Sequence, residues 1–317
     1  MYKVENYHFE YGSASKSVED LSAADNAWRE SVPAVKVTGD IDLTVSKTFD
    51  CGQCFRFDPV KGGPHFIEFS GIAHGKFVSF AQNKECTELY VYNCTVDDFN
   101  DFWSDYLSFE VDYAHIRATI KNALTISQDP DMVLRIAADF GRGIRILKQD
   151  KWEALCSFII SQNNNIPRIK RIISQLSELY GEKIVCANGE VMYSFPTAAR
   201  IFEAGEDSIR DLKVGFRAPY IIDAAAKFSR GEIDFDVVTS GSLDAAIEEL
   251  RKVKGVGLKV ASCAALFGFG RMDAFPVDVW MKRSIERHFP LGIDPAVFGD
   301  YAGIAQQFLF YYERYTA

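Results

Sequence analysis

"VKGVGLKVASC", residues Val253–Cys263, decides how this chain is to be read. Apolar residues at helical spacing run up to it, with Leu243, Ala246, Ile247 and Leu250 on one face of "LDAAIEELRKV". They resume beyond it in "LKVASCAALFGF". Gly255-Val256-Gly257 therefore joins two helices in a tight hairpin. Glycine permits positive φ and leaves backbone N–H groups uncovered, and such groups at a helix start suit an anionic phosphate. Most glycine-containing helical turns bind nothing, so the turn alone carries little. Lys259 lies in the first turn of the second helix. The positive end of a helix is a poor place for a charged ammonium and a good one for a neutral, nucleophilic amine. The plain alternative is a solvated lysine. Cys263, four residues on, shares its face, and a small buried thiol is the ordinary fate of such a cysteine.

Downstream, in "DAFPVDVWMKRSIERHF", Pro276 interrupts the chain and Asp278 is placed to cap the next helix. A carboxylate held ionised by backbone N–H groups is also a fixed negative charge beside any developing cation. Upstream, Trp152, Leu155, Cys156 and Ile159 mark a helix that "SQNNN" ends. Pro167 opens the next one, whose stripe is Ile169, Ile172, Ile173, Leu176 and Tyr180, with Gly181 as its stop.

The first third differs. "IDLTVSKTF", "KFVSFAQ" and "ELYVYNC" alternate apolar and polar residues, and "KGGP" at Lys61–Pro64 marks a turn. This reads as an antiparallel sheet with one wet face. The expected fold is α+β, a sheet domain over 1–135 with flanking helices, its first 33 or so residues unassigned, then an all-helical domain over 136–317.

Composition sets bounds without deciding function. The chain has 317 residues, 48% of them hydrophobic, ample for a sizeable core. "MYKVENYHFE" lacks the pattern of a secretory signal, and no apolar run is long enough for a membrane span. Seven scattered cysteines fit free thiols in a reducing compartment. A net charge of −9 argues against nucleic acid on average. Yet basic residues gather at Arg168–Arg171, Arg251–Lys259 and Met281–Arg283.

Taken together, G-V-G-x-K and the later P-V-D resemble the helix-hairpin-helix DNA glycosylase superfamily, and within it the bifunctional 8-oxoguanine DNA glycosylases. "SFIISQNNNIPRI", "VGFRAPYI", "KGVGLKVASC", "FPVDV" and "GIAQQFLF" occur in the family's order, from about Val35 onward. The resemblance implies a TBP-like N-terminal sheet domain before the helical one. It implies that Lys259 attacks C1′ of a flipped nucleotide and that Asp278 is the catalytic carboxylate. A Schiff base and β-elimination follow, with no metal or other cofactor required.

The family's G-Q-x-F-R turn matches "CGQCFRF", placing Gly52 where a carbonyl accepts the N7 hydrogen that 8-oxoguanine has and guanine lacks. Cys51 and Cys54 are then neighbours of that glycine, not a redox pair. The resemblance makes Gln306 a reader of the Watson–Crick edge and sets Phe310 and Cys263 on the two faces of the base. It gives Asn163, Arg168 and Arg217 to the opposite cytosine, Phe216 to the wedge in the stack, and Gly255 and Gly257 to a phosphate. The implied partner is double-stranded DNA carrying 8-oxoguanine opposite cytosine, bound by a monomer with no membrane and no obligate protein partner. The implied location is intracellular and DNA-associated: cytoplasm and nucleoid in a prokaryote, nucleus in a eukaryote.

Departures are specific. Trp280 stands where animal members carry a histidine, and Phe216 where tyrosine is common. Ser262 precedes Cys263 where some members have an acid. No cysteine follows Cys263, so the iron–sulfur loop of some relatives has no counterpart. Two other readings remain, a glycosylase for alkylated purines and a non-catalytic DNA-binding hairpin. A thiol oxidoreductase built on "CGQC" is a third, which substitution of both cysteines tests.

Overall fold

β-branched and aromatic residues dominate the strands of the first third, and here they pair throughout in antiparallel register. The computed structural model of the chain describes residues 2–9, 23–61 and 65–316. The turn read at "KGGP" falls outside them apart from Lys61, as does much of the unassigned leader. The sheet comprises β1 (Tyr2–Tyr7), β2 (Ala34–Gly39), β3 (Phe57–Pro59), β4 (Ile67–Ala73), β5 (Lys76–Gln82) and β6 (Glu88–Tyr92). Their order is β1-β2-β6-β5-β4-β3, so the leader supplies an edge strand, with Val4 opposite Val37.

The expected wet face is absent from the central strands. Alternate residues of β5 and β6 enter two cores: Val78, Phe80, Leu89 and Val91 on one face, Ala81, Tyr90 and Tyr92 on the other. The second face is covered by Phe9 and by Trp28 of helix α1 (Ala23–Ser31). Cys186 and Met192 cover it too, from a hairpin of β7 (Lys183–Val185) and β8 (Val191–Tyr193). Arg29 of α1 donates to Glu68 of β4 at 2.7 Å, and Ser79 donates to the same carboxylate at 2.6 Å. Both charged side chains are almost wholly buried.

"IDLTVSKTF" is not a strand. Gln82 takes up its backbone, accepting from the Val45 N–H at 2.7 Å and donating to the Leu43 carbonyl at 2.8 Å. A short helix, Val45–Phe49, follows. A side-chain amide replaces the ladder partner that the alternation calls for.

Two compact units result, and neither is contiguous. The sheet unit comprises residues 1–111, 143–147 and 177–195; the helical unit comprises 112–142, 148–176 and 196–317. Residues 112–135, expected among the flanking helices of the sheet domain, group with the helical unit, where they form a helix, Tyr113–Ile120, and the start of an amphipathic one, Val133–Phe140. The helical unit contains α2 (Lys151–Ser161), most of α3 (Ile166–Tyr180), α4 (Ala218–Ser229), α5 (Leu243–Arg251), α6 (Leu258–Phe269), α7 (Val279–His288) and α8 (Ala302–Thr316). The apolar stripes named above are its core: Leu155, Cys156, Ile159, Ile173, Leu176 and Leu250 are all fully buried. No helix among the described residues is long and apolar enough to cross a membrane.

Candidate active site

The hairpin between α5 and α6 uses its two glycines differently. Gly255 has φ 75°, and a Cβ there would lie 2.3 Å from the Tyr220 ring of α4. One turn along α4, Asp223 accepts from the Lys254 N–H at 2.7 Å. Helix α4 thus holds the turn from beneath, a role for Tyr220 and Asp223 that only the three-dimensional packing reveals. Gly257 is in extended backbone, φ −90°, not the positive-φ region the turn suggested. It caps α6 with no side chain, and an added Cβ would meet nothing within 4 Å. The space beside Gly257, where α6 opens, is therefore clear.

Lys259 is half-buried, in the first turn of α6. Its Nζ donates to the Ser161 hydroxyl at 3.2 Å, at the end of α2, and lies 5.5 Å from the centre of the Phe158 ring. Ser161 carries no motif of its own and was not legible as a site residue. Asp278 caps α7, its carboxylate accepting from the Met281 N–H at 2.9 Å. Both groups act on Cys263. Burial pushes the Cys263 thiol above its ordinary range, the adjacent Lys259 opposes that, and Asp278 adds to it. Lysine, thiol and carboxylate are therefore one electrostatic cluster, with the thiol protonated near neutral pH.

Gln306 and Phe310 share a helix with Gly303, which packs closely against α6. Gly303, Gln306 and Phe310 stand at i, i+3 and i+7 of one face of α8, and Lys259, Cys263 and Leu266 at i, i+4 and i+7 of one face of α6. A Cβ on Gly303 would lie 2.4 Å from Leu266, and the Gly303 N–H donates to Met272 at 2.7 Å. The two faces therefore meet at Gly303 and Leu266. Gln306 is buried, and its Oε1 has no hydrogen-bond partner among the described residues. A buried amide oxygen left unpaired is costly unless something else satisfies it. At the far end of α7, Arg287 and His288 pair with buried Glu313 of α8, at 3.0 and 3.4 Å. The helix of Asp278 and that of Gln306 are thereby fastened together.

The remaining candidates of the helical unit form a second group. Asn163 is exposed, with φ 46°, a left-handed conformation asparagine tolerates. Arg217 is buried and ties two loops together. It donates to Gln162, to Asn163 at 3.0 Å and to Val214 at 2.9 Å. Arg168 donates to Lys213 at 3.0 Å. Burial and the nearby Arg168 lower the Arg217 pKa. Phe216, between these arginines' loops, is 50% exposed, an unusual position for a phenylalanine. Trp280 lies beneath the Arg283 guanidinium, 5.6 Å from its ring centre.

Gly52 belongs to the sheet unit. Its φ is 77°, so glycine is required by conformation. Gln53 holds the turn: its amide donates to Thr48 at 2.9 Å and to Arg145 at 2.8 Å, and accepts from the Leu147 N–H at 2.9 Å. Cys51 and Cys54 are buried free thiols. Cys51 donates to the Thr48 carbonyl at 3.2 Å. Among the described residues no three His, Cys, Asp or Glu gather as a metal-ligand set.

A hairpin backed by α4, a lysine in the first turn of its second helix and a capping aspartate define a helix-hairpin-helix DNA glycosylase domain. The family model for HhH-GPD superfamily base excision DNA repair proteins matches residues 156–296, and that for the 8-oxoguanine DNA glycosylase N-terminal domain matches 37–155. The chain belongs to the 8-oxoguanine DNA glycosylase family.

Relatives agree. It is 30% identical to N-glycosylase/DNA lyase OGG1 of Arabidopsis thaliana, over 85% of this chain and 77% of that one. It is 37% identical to N-glycosylase/DNA lyase of Saccharomyces cerevisiae over 47% of this chain, a match spanning 43% of the yeast protein. Among solved structures, the 8-oxoguanine glycosylase/lyase of Clostridium acetobutylicum, in complex with DNA containing cytosine opposite 8-oxoguanine, superposes with a TM-score of 0.79. That match is 35% identical and covers 89% of this chain and 95% of the other.

Proposed function

We propose that the protein removes 8-oxoguanine from duplex DNA as a glycosylase and then acts as a lyase at the resulting site, with Lys259 as nucleophile. The grouping of Lys259, Cys263 and Asp278 carries this reading. It sets an amine, held by the Ser161 hydroxyl and the Cys263 thiol, near a carboxylate with which it forms no ion pair among the described residues. The Lys259 nitrogen forms a bond to C1′ as the bond to the base breaks, and the Asp278 carboxylate stabilises the cationic sugar. The opened sugar and the amine form a Schiff base, from which β-elimination nicks the strand.

In the same reading the Cys263 thiol and the Phe310 ring take the two faces of the extruded base. Gln306 reads its Watson–Crick edge, and the unsatisfied Oε1 supports that assignment, since a base donor would meet it. Gly52 supplies the carbonyl that accepts the N7 hydrogen. Asn163, Arg168 and Arg217 serve the cytosine opposite, Phe216 wedges the stack, and the hairpin at Gly255 and Gly257 seats a phosphate. The protein acts as a monomer on DNA inside the cell, with Gly52 on the sheet domain and the remaining groups on the helical one.

Borohydride trapping tests the assignment. A duplex with one 8-oxoguanine opposite cytosine is expected to yield a covalent adduct, lost in Lys259→Gln. An adduct that persists in that variant, or the absence of both adduct and base release in the parent protein, overturns it.

A further inference from the structure

One positively charged cleft is, apart from Arg168, left without a role when these are assigned. Arg168, Arg171 and Gln175 stand at i, i+3 and i+7 on one face of α3, and Lys213 faces them from the turn after residue 210. With Ile172 and Leu212 as its floor they line a cavity of about 130 Å³. No acidic residue lines it, and none of the three cations is in an ion pair among the described residues. Elsewhere the chain pairs its surface cations readily: Arg210 with Glu206, Lys227 with Asp223, Arg251 with Glu248. With 44 acidic residues available, three unpaired cations around one cleft repel one another unless an anion covers them.

The backbone at Lys213 gives a second reason. Its φ is 60°, a left-handed conformation that a lysine adopts at a cost. Arg168 secures it by donating to the Lys213 carbonyl. Strain of this kind persists where the surroundings hold it, and such positions gather at binding sites.

We infer that Arg171, Lys213 and Gln175 form a seat for a backbone phosphate of the undamaged DNA strand. The choice of strand rests on the proposed function, in which Arg168 and the neighbouring Phe216 loop face the cytosine opposite the lesion. The two arginines of α3 then divide their tasks: Arg168 attends to the base and Arg171, one turn on, to the strand that carries it. Hydrogen bonding from Gln175 orients the phosphate, and Lys213 completes the charge.

Fluorescence anisotropy tests this with a duplex carrying a stable abasic analogue opposite cytosine, titrated between 0.05 and 0.3 M salt. Arg171→Gln and Lys213→Asn remove charge, and asparagine keeps the left-handed backbone. Each variant is expected to bind roughly eightfold more weakly at about 0.1 M salt, with a salt slope shallower by about 0.9. Neutral methylphosphonate linkages near the cytosine, on the undamaged strand, should weaken the parent protein equally and erase its advantage over the variants. Unchanged slopes in correctly folded variants overturn the seat. An advantage that survives neutralising that strand, but vanishes on neutralising the other, overturns the strand assignment. The borohydride adduct of the parent protein reports on the glycosylase reading separately, so the two failures are distinguishable.

Discussion

Gly255 and Gly257 are two residues apart and read alike, yet one serves the fold and the other the surface. Gly255→Ala forces a left-handed alanine into the Tyr220 ring. The expected cost is about 2–4 kcal/mol, from backbone and overpacking together. Gly257→Ala needs no change of backbone and meets no atom, so stability should stay within about 0.5 kcal/mol. Its methyl would stand over the proposed phosphate seat, and affinity for duplex DNA should then fall about tenfold, worth roughly 1.4 kcal/mol. Urea denaturation and DNA titration of both variants check the pair. Equal loss of stability in the two would show that the hairpin's glycines share one role. Single residues were the most legible level of this sequence. Lys259, Asp278 and Cys263 follow from spacing and resemblance, whereas Ser161, Tyr220 and Asp223 do not, because their partners lie 98, 35 and 31 positions away.

Between elements, Gly303 has the role that no periodicity reveals. It lets α8 pack closely against Leu266 of α6, on the face of α8 that also carries Gln306 and Phe310. Gly303→Val places branched carbon against Leu266 and the Ala274 carbonyl, which a Cβ would approach to 2.9 Å. Overpacking of this kind costs about 1–3 kcal/mol. Base release in single turnover should slow by more than loss of folded protein accounts for, because the spacing of the two faces changes. A variant that loses stability but releases base at the parent rate would separate helix packing from catalysis. Helices were legible from apolar stripes, including Ile169–Leu176 and Ala246–Leu250. Strands were less so: β1 and β2 pass without a signal, and "IDLTVSKTF" alternates like a strand while Gln82 claims its backbone. A sheet covered on both faces loses the alternation by which strands are recognised.

For the molecule as a whole, net charge misled where local charge did not. An average of −9 coexists with a cleft lined by three cations. Stability should also depend on acidity through His65, which stacks on Tyr90 at 4.3 Å and hydrogen-bonds Tyr92. Burial, reinforced by Arg29, lowers its pKa to about 4. Above about pH 6.5 neither folded nor unfolded chain protonates it, and it contributes nothing. Between there and pH 4 only the unfolded chain takes the proton, so stability falls with pH, by about 3 kcal/mol in all. Urea unfolding at pH 7 and pH 5 should show a loss smaller by about 2 kcal/mol in His65→Gln. Identical losses would assign the acid sensitivity elsewhere.

The interleaving of the two units has a consequence for the chain as it is made. Gln53 waits for the backbone of Arg145 and Leu147, and the second face of the sheet waits for Cys186 and Met192. A nascent chain that ends near residue 135 holds six strands but lacks the segments that lock the Gln53 turn and complete the cover of the second face. The sheet closes only after the ribosome has passed residue 195, by which point α2 and α3 have already been translated. Synthesis in order therefore leaves one face of the sheet incompletely covered while residues 93–195, about a third of the chain, are made, an interval in which exposed apolar surface is open to aggregation.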